Sequence, residues 1–477
     1  MTLCSTAAPA LAMVRAVNNF QPISASLRAL LASAPADDPR IRTRHLAIGS
    51  GAIAALGSLF VEAFPEAHPV IIADAETFAA AGAAAEASLT AAGLTPRRLI
   101  LEARASDDHL ICEDGINRAL AAILKAEPNA IAVAVGAGTV NDIAKDASHQ
   151  LDRDYVAVAT AASMNGYTST IAAVLVGGVK RTLPSRQPRV IVADIDVLAA
   201  APKYLNLAGF GDLLSKPVSQ GDWLLSHFVR GVPYDEAPNA IIDALFAELL
   251  TQAPAIGRGD LGGLTTLMEA ILVSGYSMAL AGSSAPASGG EHLVSHYWDM
   301  EQLTVNAPLL GLHGTQVGVA TRASARLFQR LLALDPATIN PAQLAARKPD
   351  ASIYADLSAA HPRLDADTVA EIQGQLLKKQ RFGAELEAEL TQIRDNWTTI
   401  QGRISACFIG VKRIETALAE AGCVATGAEL GCDEARFIHT LRVCRQMRDR
   451  YVALDLIDDL GLLEGWAAAV VGEIEST

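Results

Sequence analysis

Five short β-rich runs separated by helical stretches fill residues 45–200, and after about residue 205 no such run recurs. The runs are 68–74, 97–102, 130–135, 155–160 and 189–194, each rich in Val, Ile or Ala. Residues 77–92 and 115–126, lying between them, have helical spacing. Apolar runs of this length with helices between them predict a parallel sheet covered on both faces. Downstream, 240–250, 264–280, 291–300, 314–334, 369–391 and 411–421 read as helices, with Pro- and Gly-bearing loops between several of them. The expected fold is an α/β N-terminal domain with a parallel sheet, residues 1–201, followed by an all-α C-terminal domain, residues 202–477. The boundary falls at Ala201-Pro202. Residues 335–366, with prolines at 336, 341, 349 and 362, read as a long connection or insertion. A chain in two such parts offers a ligand cleft between them.

Composition narrows the function. The chain is 51% apolar and 19% charged, enough for a large core. Its net charge of −14 disfavours nucleic acid and anionic membrane, which need a basic face. Mean hydropathy is +0.26, raised by alanine, and no uninterrupted apolar run reaches about 18 residues. No membrane partner is expected. Residues 1–17 are apolar with Arg15 near their end, the reverse of a secretory signal, and read as a loosely packed extension. Six scattered cysteines, none in a CxxC pair, predict reduced thiols and a cytoplasmic protein.

Four segments could carry chemistry. Gly136-Ala137-Gly138-Thr139-Val140-Asn141-Asp142 follows a strand and opens a helix. Such a turn lets backbone N–H groups meet a phosphate at a helix N-terminus, although Asn141 stands where the dinucleotide fingerprint has its third glycine. A tight turn without a ligand fits equally well. Asp74 ends a strand, where an acidic residue can hold an adenosine ribose or simply cap a helix. Thr160-Ala161-Ala162-Ser163-Met164-Asn165-Gly166-Tyr167-Thr168-Ser169 lies at another strand end and suits either a cofactor crevice or a polar loop. In the helical half, Glu291-His292-Leu-Val-Ser-His296 puts two histidines on one helix face, and His313 opens a further helix. Asp212, read as sitting at a helix start, adds a carboxylate. One Asp and two His make a three-ligand site with a vacant position, as catalytic Zn²⁺ or Fe²⁺ requires. Lys180, Arg181 and Arg186 are cations that could hold a substrate phosphate or belong to a solvated hairpin.

In this order the segments resemble the sn-glycerol-1-phosphate dehydrogenases, the AraM-like branch of the iron-containing alcohol dehydrogenase and dehydroquinate synthase superfamily. The resemblance runs from about Asp74 to Val319 and includes Gly-Ala-Gly-Thr-Val-Asn-Asp, Lys-Arg-Thr-Leu-Pro, Ala-Gly-Phe-Gly-Asp-Leu-Leu-Ser-Lys, Pro-Ala-Ser-Gly-Gly-Glu-His and Leu-His-Gly-Thr-Gln-Val-Gly. It implies a nucleotide-binding first domain and a metal-binding second one. By position it assigns Asp212, His292 and His313 to the metal, with His296 touching substrate or relaying a proton. It assigns Asp74, Gly136, Ala137, Gly138, Thr139, Val140, Thr160, Ala161, Ala162, Ser163 and Ser169 to NAD or NADP. Asn165 takes the place of an Asp that contacts substrate in better-known members; an amide keeps the shape, loses the charge and cannot act as a base.

The implied reaction is reversible hydride transfer between NAD(P)H and dihydroxyacetone phosphate, giving sn-glycerol 1-phosphate or a closely similar phosphorylated polyol. A divalent cation, Zn²⁺ foremost and Fe²⁺ or Ni²⁺ by the same ligand types, would polarise the ketone. Rival readings are a dehydrogenase of an unphosphorylated polyol or phosphonate aldehyde, and a dehydroquinate synthase-like lyase using NAD transiently. A homo-oligomer is the family tendency.

Overall fold

The structure, a computed structural model, describes residues 15–16, 27, 40–103, 110–177 and 179–476. Most of the N-terminal extension, with Cys4, lies outside them, as does His109. Arg15–Ala16 (β1) does not stay loose: it pairs in parallel with His45–Gly49 (β2) at a sheet edge.

The sheet continues with His68–Ala73 (β3), Arg97–Ile100 (β4), Ala130–Gly136 (β5), Tyr155–Ala159 (β6) and Val190–Asp194 (β9), all parallel, in the order β1-β2-β9-β6-β5-β3-β4. Each predicted strand is present; β2 is an additional one. Period-two alternation divides the side chains between two layers. Ile71, Val133, Val135, Val156 and Val158 pack on helices Leu56–Ala63 and Ala83–Ala91. Val70, Ile72, Ala132 and Ala134 face Leu120 and Leu124 of helix Asp114–Lys125 and Ile143 of helix Gly138–Gln150 (α1). The chain leaves β3 for the edge strand β4 and returns as β5 on the other side of β3, so the strand order reverses between β3 and β5. Ligand crevices form at such switch points, outside the carboxyl ends of the strands.

Ile171–Val176 (β7) and Val179–Pro184 (β8) form a separate antiparallel hairpin. From Lys203 onward the described chain is helical or loop. Helices Lys203–Leu213 (α2), Lys216–Arg230 (α3), Leu261–Ala281 (α4), Gly290–Thr304 (α5) and His313–Leu332 (α6) surround one large core. By length and hydropathy α4 could cross a membrane, but 83% of its apolar window is buried inside the protein, so its surface is used by the core. One expectation needs correction. Residues 369–391 are not one helix: Ala366–Lys379 ends, and Gly383–Cys407 begins at Gly383 with φ 47°, a left-handed conformation that breaks the ladder. The stretch 335–366 carries four short helical turns, three of them opened by an Asp or Asn cap at Asp335, Asn340 and Asp350. Cys112, Cys407, Cys423, Cys432 and Cys444 are free thiols.

Candidate metal centre and cleft

β5 runs into α1 through Ala137, which offers no capping side chain of its own; Ser163 Oγ accepts the Gly138 N–H at 3.3 Å. Ala137, Gly138 and Thr139 line a cavity of about 1320 Å³. That exceeds the roughly 300–1,000 Å³ of ordinary small-ligand pockets and leaves room for a dinucleotide beside a small substrate. Packing demands both glycines: a Cβ at Gly136 would lie 2.4 Å from that of Val140, and one at Gly138 would lie 2.7 Å from Met164 Cγ. Val140 is buried core beneath the turn and is not among the residues lining the cavity.

The loop after β6 divides in two. Thr160, Ala161 and Ala162 are buried; Ala162 N–H donates to Asn206 Oδ1 at 2.9 Å, and Tyr167 OH donates to Ala161 O at 2.8 Å. They brace the loop and stay out of the cavity wall. Ser163, Met164, Asn165, Gly166 and Ser169 do line it. Beneath them the buried Lys145 ammonium donates to Gly166 O at 2.6 Å and Ile171 O at 3.1 Å. Asp74 caps the helix after β3: its Oδ1 accepts from Thr77 N at 2.7 Å, and it is not among the residues lining the cavity. Of the three hairpin cations only Lys180 reaches the cavity, paired there with Asp299 at 2.9 Å. Arg181 faces Glu371, and Arg186 pairs with Asp152 and Asp154.

The helical half forms the opposite wall. Asp212 sits in the last turn of α2, not at a helix start; the next helix opens only at Lys216, with Pro217 in its first turn. A helix C-terminus carries partial negative charge, which favours a cation there. One ligand atom each from Asp212, His292 and His313 lies within 4.8 Å of the other two. The donor chemistry fits a divalent ion: Asp212 Oδ1 is buried without a hydrogen-bond partner, while Oδ2 accepts from Asn165 N–H at 2.9 Å. Each histidine turns Nε2 inward because its Nδ1 is engaged elsewhere. His292 Nδ1 lies 2.8 Å from Glu291 Oε1, and its Nε2 is 3.3 Å from Asp212 Oδ1. His313 Nδ1 lies 2.9 Å from Ser295 Oγ, whose hydroxyl donates to Gln316 Oε1 at 2.6 Å. Gln316 Nε2 then donates to Asp299 Oδ1 at 3.0 Å, which completes a chain to Lys180. Outer partners of this kind fix the tautomer and orientation of ligating imidazoles.

His296, one turn beyond His292, stacks on His313 with ring centroids 5.3 Å apart. Burial, followed by the nearby Arg448 guanidinium, pushes its pKa well below the ordinary value. Burial lowers His313 to about 4. Burial also acts against a charged His292, but Asp212 and Glu291 outweigh it and raise that ring to about 9.

Three contributors escaped the sequence reading. Glu291 stood in the motif without a role, although a carboxylate beside a ligating histidine is a recognisable second partner. The Ser295–Gln316–Asp299 chain crosses between α5 and α6 and leaves no local signature. Arg448 and Arg450 come from the tail: Arg448 bonds His296 and Thr182, and Arg450 bonds Ser284 and Ser288.

Residues 47–202 match the family model for iron-containing alcohol dehydrogenases. The chain is 35% identical over 269 residues to glycerol-1-phosphate dehydrogenase [NAD(P)+] of Bacillus velezensis, covering 55% of this chain and 66% of that one. Its counterpart in Bacillus licheniformis is 32% identical over 293 residues, covering 61% and 72%. The chain belongs to the glycerol-1-phosphate dehydrogenase family. The match to the Bacillus velezensis relative spans slightly under two thirds of that protein's length. A probable glycerol dehydrogenase from Sinorhizobium meliloti shares the fold, with a TM-score of 0.58, 16% identity and coverage of 91% of this chain and 98% of that one. Its match reaches most of the chain, where the sequence relatives align with little more than half.

Proposed function

We propose that the chain is an NAD(P)-linked, metal-dependent dehydrogenase interconverting dihydroxyacetone phosphate and sn-glycerol 1-phosphate, or a closely similar small phosphorylated polyol. The observation that carries this reading is the convergence of Asp212, His292 and His313 on a cavity that the N-terminus of α1 also lines. The names of the family relatives support the substrate. Asp212, His292 and His313 would hold the ion; Zn²⁺ is the first expectation, and Fe²⁺ or Ni²⁺ accept the same ligand types. When bound, the cation draws charge from a substrate oxygen while the nicotinamide exchanges hydride with the adjacent carbon. The helix N-terminus at Gly138 and Thr139 would meet a pyrophosphate, with Ser169 and Ser163, whose Oγ now holds the Gly138 N–H, beside it.

The remaining work falls to groups of the chain. Asn165 fixes Asp212 through its backbone N–H, and its buried side-chain Nδ2 has no partner among the described residues, so a donor is available to a substrate oxygen. Lys180, balanced by Asp299, places an ammonium on the same wall. His296 presents a ring nitrogen beside the metal ligands. The domain division at Ala201-Pro202 is part of this proposal: the first unit would hold the dinucleotide and the second the ion. Five free thiols suit a reducing cytoplasm.

The test is an NADH and NADPH oxidation screen on protein of known metal content. Dihydroxyacetone phosphate should be reduced in preference to dihydroxyacetone, glyceraldehyde and phosphonate aldehydes. Reduction of an unphosphorylated ketone alone would refute the phosphate assignment, and substrate consumption without net NADH oxidation would point to a lyase.

A further inference from the structure

Three histidines line the cavity wall in two opposite settings. His292 and His313 each direct Nδ1 at an oxygen: a Glu291 carboxylate, and a Ser295 hydroxyl already committed as donor to Gln316. Both rings can therefore carry their proton on Nδ1 and keep Nε2 bare. His296 is reversed. Its Nδ1 lies 3.0 Å from Arg448 Nη2. A guanidinium has five N–H donors, no acceptor, and does not deprotonate in proteins, so it can only donate here, and Nδ1 must accept. A neutral ring that accepts at Nδ1 carries its hydrogen on Nε2.

We propose that Arg448 is a positioning residue that fixes His296 as the Nε2–H tautomer, so that this ring meets the substrate as a hydrogen-bond donor and not as a proton acceptor. His296 and Thr182 form the cavity wall, and Arg448 stands behind them. Its second terminal nitrogen, Nη1, donates to Thr182 Oγ1 at 3.0 Å. Each terminal nitrogen thus directs one N–H at a neutral group of the wall, and Arg448 itself is not among the residues lining the cavity. With Nδ1 occupied, Nε2 is the remaining polar atom of the ring. The tail is held in place by Lys379, whose buried ammonium donates to Arg445 O at 2.7 Å and Arg450 O at 2.9 Å, on either side of Arg448. The segment that carries the tautomer control is therefore anchored independently of the cavity. The tautomer follows from the hydrogen bonds alone; what the donor does to a carbonyl oxygen rests on the dehydrogenase reading above.

The test is ¹⁵N NMR of the Zn²⁺-loaded protein labelled at histidine, with His296→Gln used to assign the resonances. His296 should show a protonated Nε2 and a bare Nδ1, the reverse of His292 and His313. In Arg448→Met the His296 pattern should shift toward Nδ1–H or a mixture. Loss of an outer partner of an active-site imidazole should lower kcat about 10- to 100-fold. KM should stay within about threefold, and Arg448→Lys, which keeps a donor, should restore part of both signals. A wild-type Nδ1–H ring, an unchanged tautomer in Arg448→Met, or a raised KM with unaltered kcat would overturn the proposal. If Arg448→Met does not fold, the wild-type spectrum and Arg448→Lys still decide the tautomer. The expected tautomer in a protein that reduces no phosphorylated ketone would uphold the positioning and reject only the dehydrogenase reading.

Discussion

Glu291 and Ser295 show how much of this site depends on atoms that would never touch an ion. Glu291 Oε1 takes both the Gly289 N–H at 2.7 Å and the His292 ring, so one carboxylate sets the helix entry and the imidazole together. Glu291→Gln removes the charge that orients the ring and should weaken divalent-metal affinity about 10- to 100-fold with the fold intact. Competition with a calibrated chelator measures this directly; unchanged affinity would show that the carboxylate serves only the helix start. The histidine ligands were legible in the sequence because the chain has only 10 histidines and three of them fall between 292 and 313, while Asp212 was picked out by its motif. Their partners were not, since Ser295, Gln316 and Asp299 are ordinary helix residues until two helices meet.

Helices α2 and α6 carry Asp212 and His313, and they approach closely only because the contact lacks side chains. A Cβ at Gly314 would lie 2.0 Å from Ala208 O, and one at Gly211 would lie 2.7 Å from Gly314 O. Gly314→Ala must push these helices apart, at a cost of about 1–3 kcal/mol, and should weaken metal binding as the ligands separate. Gly374, in the middle of helix Ala366–Lys379, has nothing within 4 Å of its would-be Cβ. Gly374→Ala should therefore stabilise by about 0.5–1 kcal/mol. Denaturant midpoints for the pair should move in opposite directions, and a shared direction would contradict the packing argument. Strand positions were readable because buried parallel strands are continuous apolar runs. The hairpin of β7 and β8 was only one of two readings of its segment, and the break before Gly383 was not read at all, since both depend on local backbone geometry that hydrophobic period does not record.

On the scale of the whole molecule, the tail and the 335–366 stretch are tied to the core by buried charge. Lys379 reaches Asp455 at 2.8 Å, and Arg445 reaches the same carboxylate at 3.1 Å. Removing one partner strands the others, so Lys379→Met should cost about 3–5 kcal/mol and loosen the segment that holds Arg448. Calorimetry with and without Zn²⁺ would separate lost stability from lost metal. His361 joins this region to α5: Tyr297 OH donates to Nδ1 at 2.9 Å, and Nε2 donates to Gln446 Oε1 at 3.0 Å. Burial holds its pKa down at about 4. The unfolded chain therefore takes up this proton first, near pH 6.5. The stability from a neutral His361 is complete above that pH and is lost as pH falls toward 4, about 3 kcal/mol in all. His361→Gln should flatten that part of the stability profile between pH 7.5 and 4.5; an unchanged slope would place the titration elsewhere.

Residue order alone determined that a parallel sheet precedes a helical half, and that Asp212, His292, His296 and His313 are the candidates for chemistry in that half, because hydrophobic period and clustered imidazoles are written locally. Only the tertiary structure decided that Asp212 ends its helix, that Asp74 caps a helix and Val140 fills core, and that Arg448 from the distant tail stands behind His296. Those outcomes depend on which surfaces meet across hundreds of residues, and nothing in the neighbourhood of each residue along the chain encodes such a meeting.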